Sequence, residues 1–349
     1  MKFVRKHWIL SGVLLGSLLC YIGALISPQV FWPSVFLCYA IPVVLVFNIV
    51  LLPALFFLKK RSSMLFPAIA ILAGLPFILV TWRYTNPRPG NGVTISVLSY
   101  NAKLFRTAET YSKFSQQQIN WVSNDTSAIK CIQEFSTNDR WKELNIKKRI
   151  SDKGYYAYTF KSRGPNNDHN RGMAIFTRYP VIDSGVVWDD PTYTNAIIFV
   201  DVKVNDKPLR IYNVHLASMN LGLAKYKDPS DYGEKIRMLL YKLKQGGTKR
   251  TDEVDKLIAH AKTSPYPFLI CGDFNELPYG YNYRKLRSKF QGSFEEAGKG
   301  FGFSLHSKLF FIRIDHHFHS DHIRAMKFLV DRSNTISDHF PTRAIYKFD

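Results

Sequence analysis

Residues 267–278 read PFLICGDFNELP. An apolar run, Phe268–Cys271, stops at Gly272, and Asp273 and Asn275 follow two residues apart. On an extended chain that spacing puts both side chains on one face. A buried strand would then deliver a carboxylate and a carboxamide side by side at its end. The carboxylate can bind a metal or activate water, and the carboxamide can hydrogen-bond a phosphate oxygen. Gly-Asp and Asn are equally at home in an ordinary turn, so this stretch alone does not choose between turn and active site.

Outward from it, the chain between Val93 and Lys347 alternates short strands with helices and polar loops. Val93–Tyr100, Ala128–Gln133, Met173–Arg178, Ala196–Val204, Leu209–His215, Phe268–Cys271, Phe310–His319 and Arg343–Lys347 read as strands. Ser112–Asn124, Asp231–Leu243 and Thr251–Lys262 read as helices. The mixture predicts an α/β or α+β fold with a mixed sheet. Polar residues sit where these strands end. Asn101 follows the first and Glu134 the second, His215 ends another, and Asp338 and His339 precede the last. Taken singly, each has an ordinary structural reading: a turn Asn, a helix-capping Glu, a satisfied structural His. Asp315 is harder to dismiss, because a carboxylate inside the apolar stretch RIDHHF needs a partner. Their recurrence in one order argues for a shared site.

The stretches SYNAKLF around Asn101, IQEFS around Glu134, GMAIFTRYPV from Gly172, YNVHLAS around His215, ICGDFNELP around Asp273, RIDHHFHS around Asp315 and SDHFP around Asp338 resemble the endonuclease/exonuclease/phosphatase (deoxyribonuclease I-like) superfamily. The resemblance runs from about Thr94 to Tyr346. It implies a four-layer sandwich of two mixed β-sheets flanked by helices, with one active site at the strand ends. It further implies Glu134 as the principal Mg²⁺ (or Mn²⁺) ligand beside Asn101, with Asp338 as a further metal-site carboxylate. Asp273 would orient or deprotonate the attacking water, and Asn275 would hold a phosphate oxygen. His339, oriented by Asp315, would bond the scissile phosphate or act as base, and His215 would serve as general acid or phosphate ligand. The residue types suit that chemistry. Hydrolysis of an anionic phosphoester needs charge neutralisation and a positioned water, and hard oxygen ligands favour Mg²⁺ or Mn²⁺ over zinc. Two positions depart from family members. Apurinic-site endonucleases carry an acidic metal ligand where this chain has Lys103. Deoxyribonuclease I carries a Glu where this chain has Arg171, which could instead clamp a substrate phosphate.

The first 82 residues are different in kind. They contain no Asp or Glu and only six basic residues, Lys2, Arg5, Lys6, Lys59, Lys60 and Arg61. The remainder carries 41 basic and 27 acidic residues, a net charge of +14, which suits an anionic partner such as nucleic acid or a phospholipid headgroup. Trp8–Ser27, Phe31–Leu58 and Met64–Trp82 are each long and apolar enough to be read as transmembrane helices. Asn48 is the one strongly polar residue deep in these stretches and is ascribed to helix packing. The basic N-terminus and the Lys59–Arg61 loop predict a cytoplasmic location for both. Three spans would put the rest of the chain on the periplasmic or extracellular side. The expected organisation is a three-helix membrane anchor over residues 1–82, a Pro/Gly-rich linker over 83–92 and a catalytic domain over 93–349. The four cysteines show neither a disulfide framework nor metal spacing. Buried free thiols are expected, a Cys131–Cys271 bridge being the alternative.

The expected function is a membrane-anchored, metal-dependent phosphoester hydrolase, acting on nucleic acid or on a phospholipid or phosphorylated headgroup. The competing class is a non-catalytic membrane receptor or scaffold that keeps the same fold. Specificity would lie in the loops 217–231, 246–250 and 161–170.

Overall fold

The computed structural model describes residues 7–86, 92–106, 113–162, 170–191, 194–218, 232–306 and 312–348. The loops expected to set specificity at 219–231 and 163–169, and part of the expected linker, lie outside the described residues. The chain forms two compact units. One comprises Met1–Trp82, Ser218–Thr251 and Glu276–Lys285, and the other comprises Arg83–Ala217, Asp252–Asn275 and Leu286–Asp349. The first therefore takes in two segments that the sequence reading placed in the catalytic domain.

The first unit begins with helices α1 (Trp8–Ala24), α2 (Ser34–Phe57), α3 (Leu65–Ala73) and α4 (Leu75–Thr81). Among the described residues α2 is the one helix long and apolar enough to cross a bilayer. The third apolar stretch is broken: Arg61–Ala73 and Leu75–Thr81 are bent by 54°, at Gly74 with Pro76 just beyond. If that pair counts as one span, two such elements are present. The helix α1 has 17 residues and stops before Ser27-Pro28. Asn48 of α2 is buried and donates to Ser17 Oγ of α1 (3.1 Å) and to its own helix at Val44 O (2.8 Å). His7 meets Ser63 at one end of the group (3.2 Å), and the Cys38 thiol reaches Ala24 O at the other (3.8 Å).

The second unit holds two six-stranded sheets. In one the order is β11 (Ile323–Val330), β12 (Thr342–Phe348), β1 (Val93–Asn101), β2 (Ile129–Thr137), β4 (Asn170–Thr177), β3 (Tyr156–Lys161). In the other it is β9 (Gln291–Gly292), β10 (Asp315–His319), β8 (Phe268–Asp273), β7 (Lys207–His215), β6 (Ala196–Val204), β5 (Val181–Asp189). Each sheet has one central parallel pair, β1–β2 and β7–β8, among antiparallel neighbours. A parallel pair needs a long crossover. Here these pass through α5 (Gln116–Asn124) and the 31-residue α7 (Tyr232–Lys262).

Strand alternation sorts the core into layers. Ile95, Val97, Cys131, Met173 and Ile175 from one sheet and Ile198, Val200, Ile211, Leu269 and Cys271 from the other form the central core. The opposite faces of β1, β2 and β4, with Leu98, Tyr100, Ile132 and Phe176, pack with Ile119 and Val122 of α5 and with Ile146 and Ile150 of α6 (Ile146–Ser151). On the outer face of the second sheet, Tyr212 meets His260 of α7 (2.8 Å). The result is the expected two-sheet α/β sandwich with helices outside. Two sequence expectations are corrected. The two helices expected over 231–243 and 251–262 are, from Tyr232 to Lys262, one continuous helix that runs through Gly246-Gly247; a Cβ at Gly247 would collide with Val35. Of the strand expected over Phe310–His319, residues 310 and 311 lie outside the described residues, and the described strand is Asp315–His319. All four cysteines are buried free thiols, so Cys131 and Cys271 are not bridged.

Candidate active site

The site grows from strand register. In the second sheet His215 pairs with Asp273 across β7–β8, and Asp273 pairs with Asp315 across β8–β10. Three adjacent strands thus end in a row of His, Asp and Asp. Gly272 makes this approach work: its φ is 152°, and a Cβ there would strike the Val214 carbonyl. In the first sheet β1 ends at Asn101, and beside it β2 carries Glu134 at an irregularity between Ile132 and Phe135. Glu134 has φ 44°, a left-handed backbone inside a strand. Such strain persists only where the surroundings impose it and is common at functional sites.

Asn101 joins the two rows. Its amide nitrogen donates to Glu134 Oε1 (3.2 Å) and Asp273 Oδ2 (3.0 Å), and its oxygen accepts from Lys103 N (3.1 Å). Carboxylates only accept, so the NH₂ end must face them; Asn101 orients the carboxylates. His215 Nε2 lies 3.8 Å from both Glu134 Oε1 and Asp273 Oδ2. His339, in the loop before β12, places Nδ1 3.0 Å from Asp315 Oδ2, and its Nε2 is 3.7 Å from Asp273 Oδ2. Backbone N–H groups of Ile314 and Asp315 donate to Ser304 Oγ, which fixes the start of β10 (3.2 and 3.1 Å). Burial raises the Asp315 carboxyl above its ordinary range, against the nearby His339 charge. Burial also opposes charge on His339, but Asp315 and Asp273 overcome it and raise the imidazole to about 10.

The other expected residues have these surroundings. Asp338 is ion-paired with Lys103 Nζ (2.8 Å). Burial disfavours its carboxylate, yet His339 and Lys103 hold its pKa below the ordinary value. Asn275 (φ 49°) donates its side-chain amide to Leu216 O (3.0 Å), and its N–H bonds Asp273 Oδ1 (2.9 Å). Arg171 lies opposite Ser136 in the β2–β4 ladder, with its buried Nε unpaired among the described residues. Arg106 is close enough that Arg171 lowers its pKa, secondary to the effect of burial.

Sequence reading missed two features. Lys103, Leu104 and Phe105 are three consecutive left-handed residues (φ 45°, 56° and 56°), a turn that accompanies the Lys103–Asp338 pair. Beneath the site, Gln133 of β2 donates to Asn213 Oδ1 of β7 (2.6 Å) and to Ser99 Oγ (3.1 Å), clipping the sheets together. Polar residues in mid-strand were the available signal for that clip.

The donor set suits a divalent cation. Asp273, Asp315 and His339 bring ligand atoms within 4.8 Å of one another. Asp315 and His339 pair with each other, and beside them Glu134 and Asp273, sharing the Asn101 amide, are the carboxylates that could hold a cation.

Comparisons with known proteins bear on the family and the fold. A family model described as Endonuclease/Exonuclease/phosphatase family matches residues 99–339. The chain belongs to that family. A second model, Domain of unknown function (DUF8431), matches residues 2–81. No curated protein matches the chain in sequence. Among solved structures, an endonuclease/exonuclease/phosphatase from Beutenbergia cavernae is 12% identical, with a TM-score of 0.55 over 73% of this chain and 72% of that one. A family protein from Leptotrichia buccalis is 15% identical, with a TM-score of 0.51 over 73% and 100%. The human Nocturnin catalytic domain with bound sulfate anion is 17% identical, with a TM-score of 0.50 over 73% and 95%. These likenesses concern the shared fold. Members of the endonuclease/exonuclease/phosphatase family are phosphoester hydrolases that generally use a divalent metal.

Proposed function

We propose that this chain is a membrane-anchored, Mg²⁺- or Mn²⁺-dependent phosphoester hydrolase. The observation that carries the reading is the convergence of Glu134, Asp273 and Asp315 with His215 and His339 around the Asn101 amide. Glu134 and Asp273 would hold the cation, which supplies charge neutralisation for the phosphate when bound. Asp273, the most central carboxylate, orients the attacking water. Asp315 fixes His339 through Nδ1, so that Nε2 presents a donor to a phosphate oxygen. His215 stands on the opposite side of Asp273, placed to protonate the leaving oxygen. Asn275 keeps one amide hydrogen for substrate, and Arg171 is a second anchor for negative charge.

The substrate class is a phosphoester on a phospholipid headgroup or on nucleic acid. The N-terminal helices favour the headgroup, because they would hold the site near a membrane surface. Two contacts support three spans, which would put the catalytic unit outside the cytoplasm. The Lys59–Arg61 loop adjoins the end of the helix group where His7 meets Ser63. The other end carries the junction between Thr81 and Tyr279 (2.9 Å). Three passes, the third broken at Gly74, reconcile these positions. Full-length protein should hydrolyse bis(p-nitrophenyl) phosphate with Mg²⁺ and lose that activity in EDTA and in Glu134→Ala. Full activity in either condition would overturn the reading.

A further inference from the structure

The helix α7 begins within the same compact unit as the apolar helices, and its first five turns have a pattern of their own. Residues 232–250 carry Lys235, Arg237, Lys242, Lys244, Lys249 and Arg250 against one acid, Glu234. At helical spacing Ile236, Leu239, Leu240, Leu243 and Gly247 fall on one stripe, with Lys235 and Lys242 on one flank and Arg237 and Lys244 on the other.

The two ends of the stripe have different surroundings. Gly247 is pressed against Val35 at the start of α2, and Leu243 is buried at 6% exposure. The neighbouring Arg250 is buried with Glu276 (2.9 Å), whose carboxylate approaches Gly280 beside Cys38. This end is fixed to the apolar helices. Towards the N-terminus the same stripe emerges: Ile236 is 56% exposed and Leu239 is 42% exposed. An apolar face that continues from a set of apolar spans, between two rows of cations, has the composition of an interfacial helix.

We propose that residues 232–243 form an arm lying in the headgroup region of an anionic bilayer, Ile236 and Leu239 dipping toward the acyl chains and the flanking cations meeting lipid phosphates. This rests on the membrane anchoring proposed above. The arm emerges from the helix-group end that carries Val35 and Cys38, opposite the Lys59–Arg61 loop. It would therefore rest on the leaflet opposite the one beside the Lys59–Arg61 loop. Its charge does not conflict with that side, since long domains translocate largely regardless of charge.

The test places an environment-sensitive fluorophore on Leu239→Cys or, as a polar-flank control, on Lys244→Cys, in full-length protein with its four native buried cysteines removed. Both are reconstituted into vesicles of phosphatidylcholine with or without phosphatidylglycerol, containing brominated acyl chains. In anionic vesicles the probe at 239 should be quenched about twofold and the probe at 244 much less, with weaker quenching at 239 in neutral vesicles. An unquenched probe at 239 in protein that resists alkaline extraction would overturn the arm while leaving the anchor intact. Disulfide formation between two copies at 239 without lipid quenching would also overturn it, in favour of a self-contact. Release of the protein by alkaline extraction would refute the anchoring itself.

Discussion

Glu134 offers a test of the site that does not depend on knowing the substrate. Its backbone is left-handed (φ 44°) within β2, and its side chain touches only the site, through Asn101 (3.2 Å) and His215 (3.8 Å) among the contacts described. Glu134→Ala and Glu134→Gly remove the same carboxylate, so their difference isolates the backbone. A left-handed conformation costs an L-residue roughly 1–2 kcal/mol and costs glycine little. Against this, glycine loses about 0.5–1 kcal/mol more backbone entropy on folding. The balance favours the glycine variant by about 0.5–1 kcal/mol, whereas at an ordinary strand position alanine would win. That is a Tm difference of about 1–4 °C for a domain of this size. Thermal unfolding of full-length protein in detergent, with EDTA present so that metal binding does not contribute, measures it. An alanine variant as stable as the glycine variant would refute the claim that the protein tolerates strain there to aim the carboxylate.

Other consequences follow from named contacts. Asp315→Asn removes the charge behind His339; a charge-assisted hydrogen bond worth about 1.5–3 kcal/mol predicts a kcat lower by about 10- to 100-fold with little change in KM, and an unchanged kcat would exclude the positioning role. Asp201 accepts two bonds from buried Arg210 (2.6 Å each); Asp201→Ala strands that cation and should cost about 3–5 kcal/mol in chemical denaturation. Buried Lys130 donates to Val122 O (2.9 Å), and desolvation lowers its pKa to about 8. Between that value and the ordinary 10.5 the unfolded chain binds the extra proton, so stability should rise with pH, by up to roughly 3 kcal/mol. Lys130→Met should lack that increment, and a wild-type-minus-variant difference unchanged from pH about 7.5 to about 9.5 would argue against it.

The strands legible in the sequence are those with a neighbour on both sides. Val93–Asn101 and Phe268–Asp273, for example, are shielded on both faces and read as apolar runs. Tyr156–Lys161, Val181–Asp189, Gln291–Gly292 and Ile323–Val330 escaped the pattern, and each is a sheet edge. Their half-exposed faces tolerate polar residues, and the signal fades accordingly. The same logic governs the site. His215, Asp273 and Asp315 were visible because a polar side chain at the end of a buried strand is conspicuous. The Lys103–Asp338 pair was not, because it accompanies a turn of three left-handed residues whose sequence, Lys-Leu-Phe, gives no sign of it. Within the run Asp315–His319, Asp315 alone was read as chemistry. His317 is bonded to Tyr346 (3.1 Å) and Thr342 (2.9 Å), and burial lowers its pKa to about 3, so it is a neutral core residue.

The pairing of β12 with β1 has a consequence for how the protein is made. It registers Thr342 against Ser99 and Phe348 against Val93, so the last strand of the chain is an interior strand beside one of the first. His339 enters the site only with the segment leading into that strand. Contacts so distant in sequence are slow to form, and the nascent chain lacks them until residues 339–348 have left the ribosome. The site is therefore incomplete in any chain that stops before His339, and removing residues 338–348 would take away His339 together with the strand that follows it.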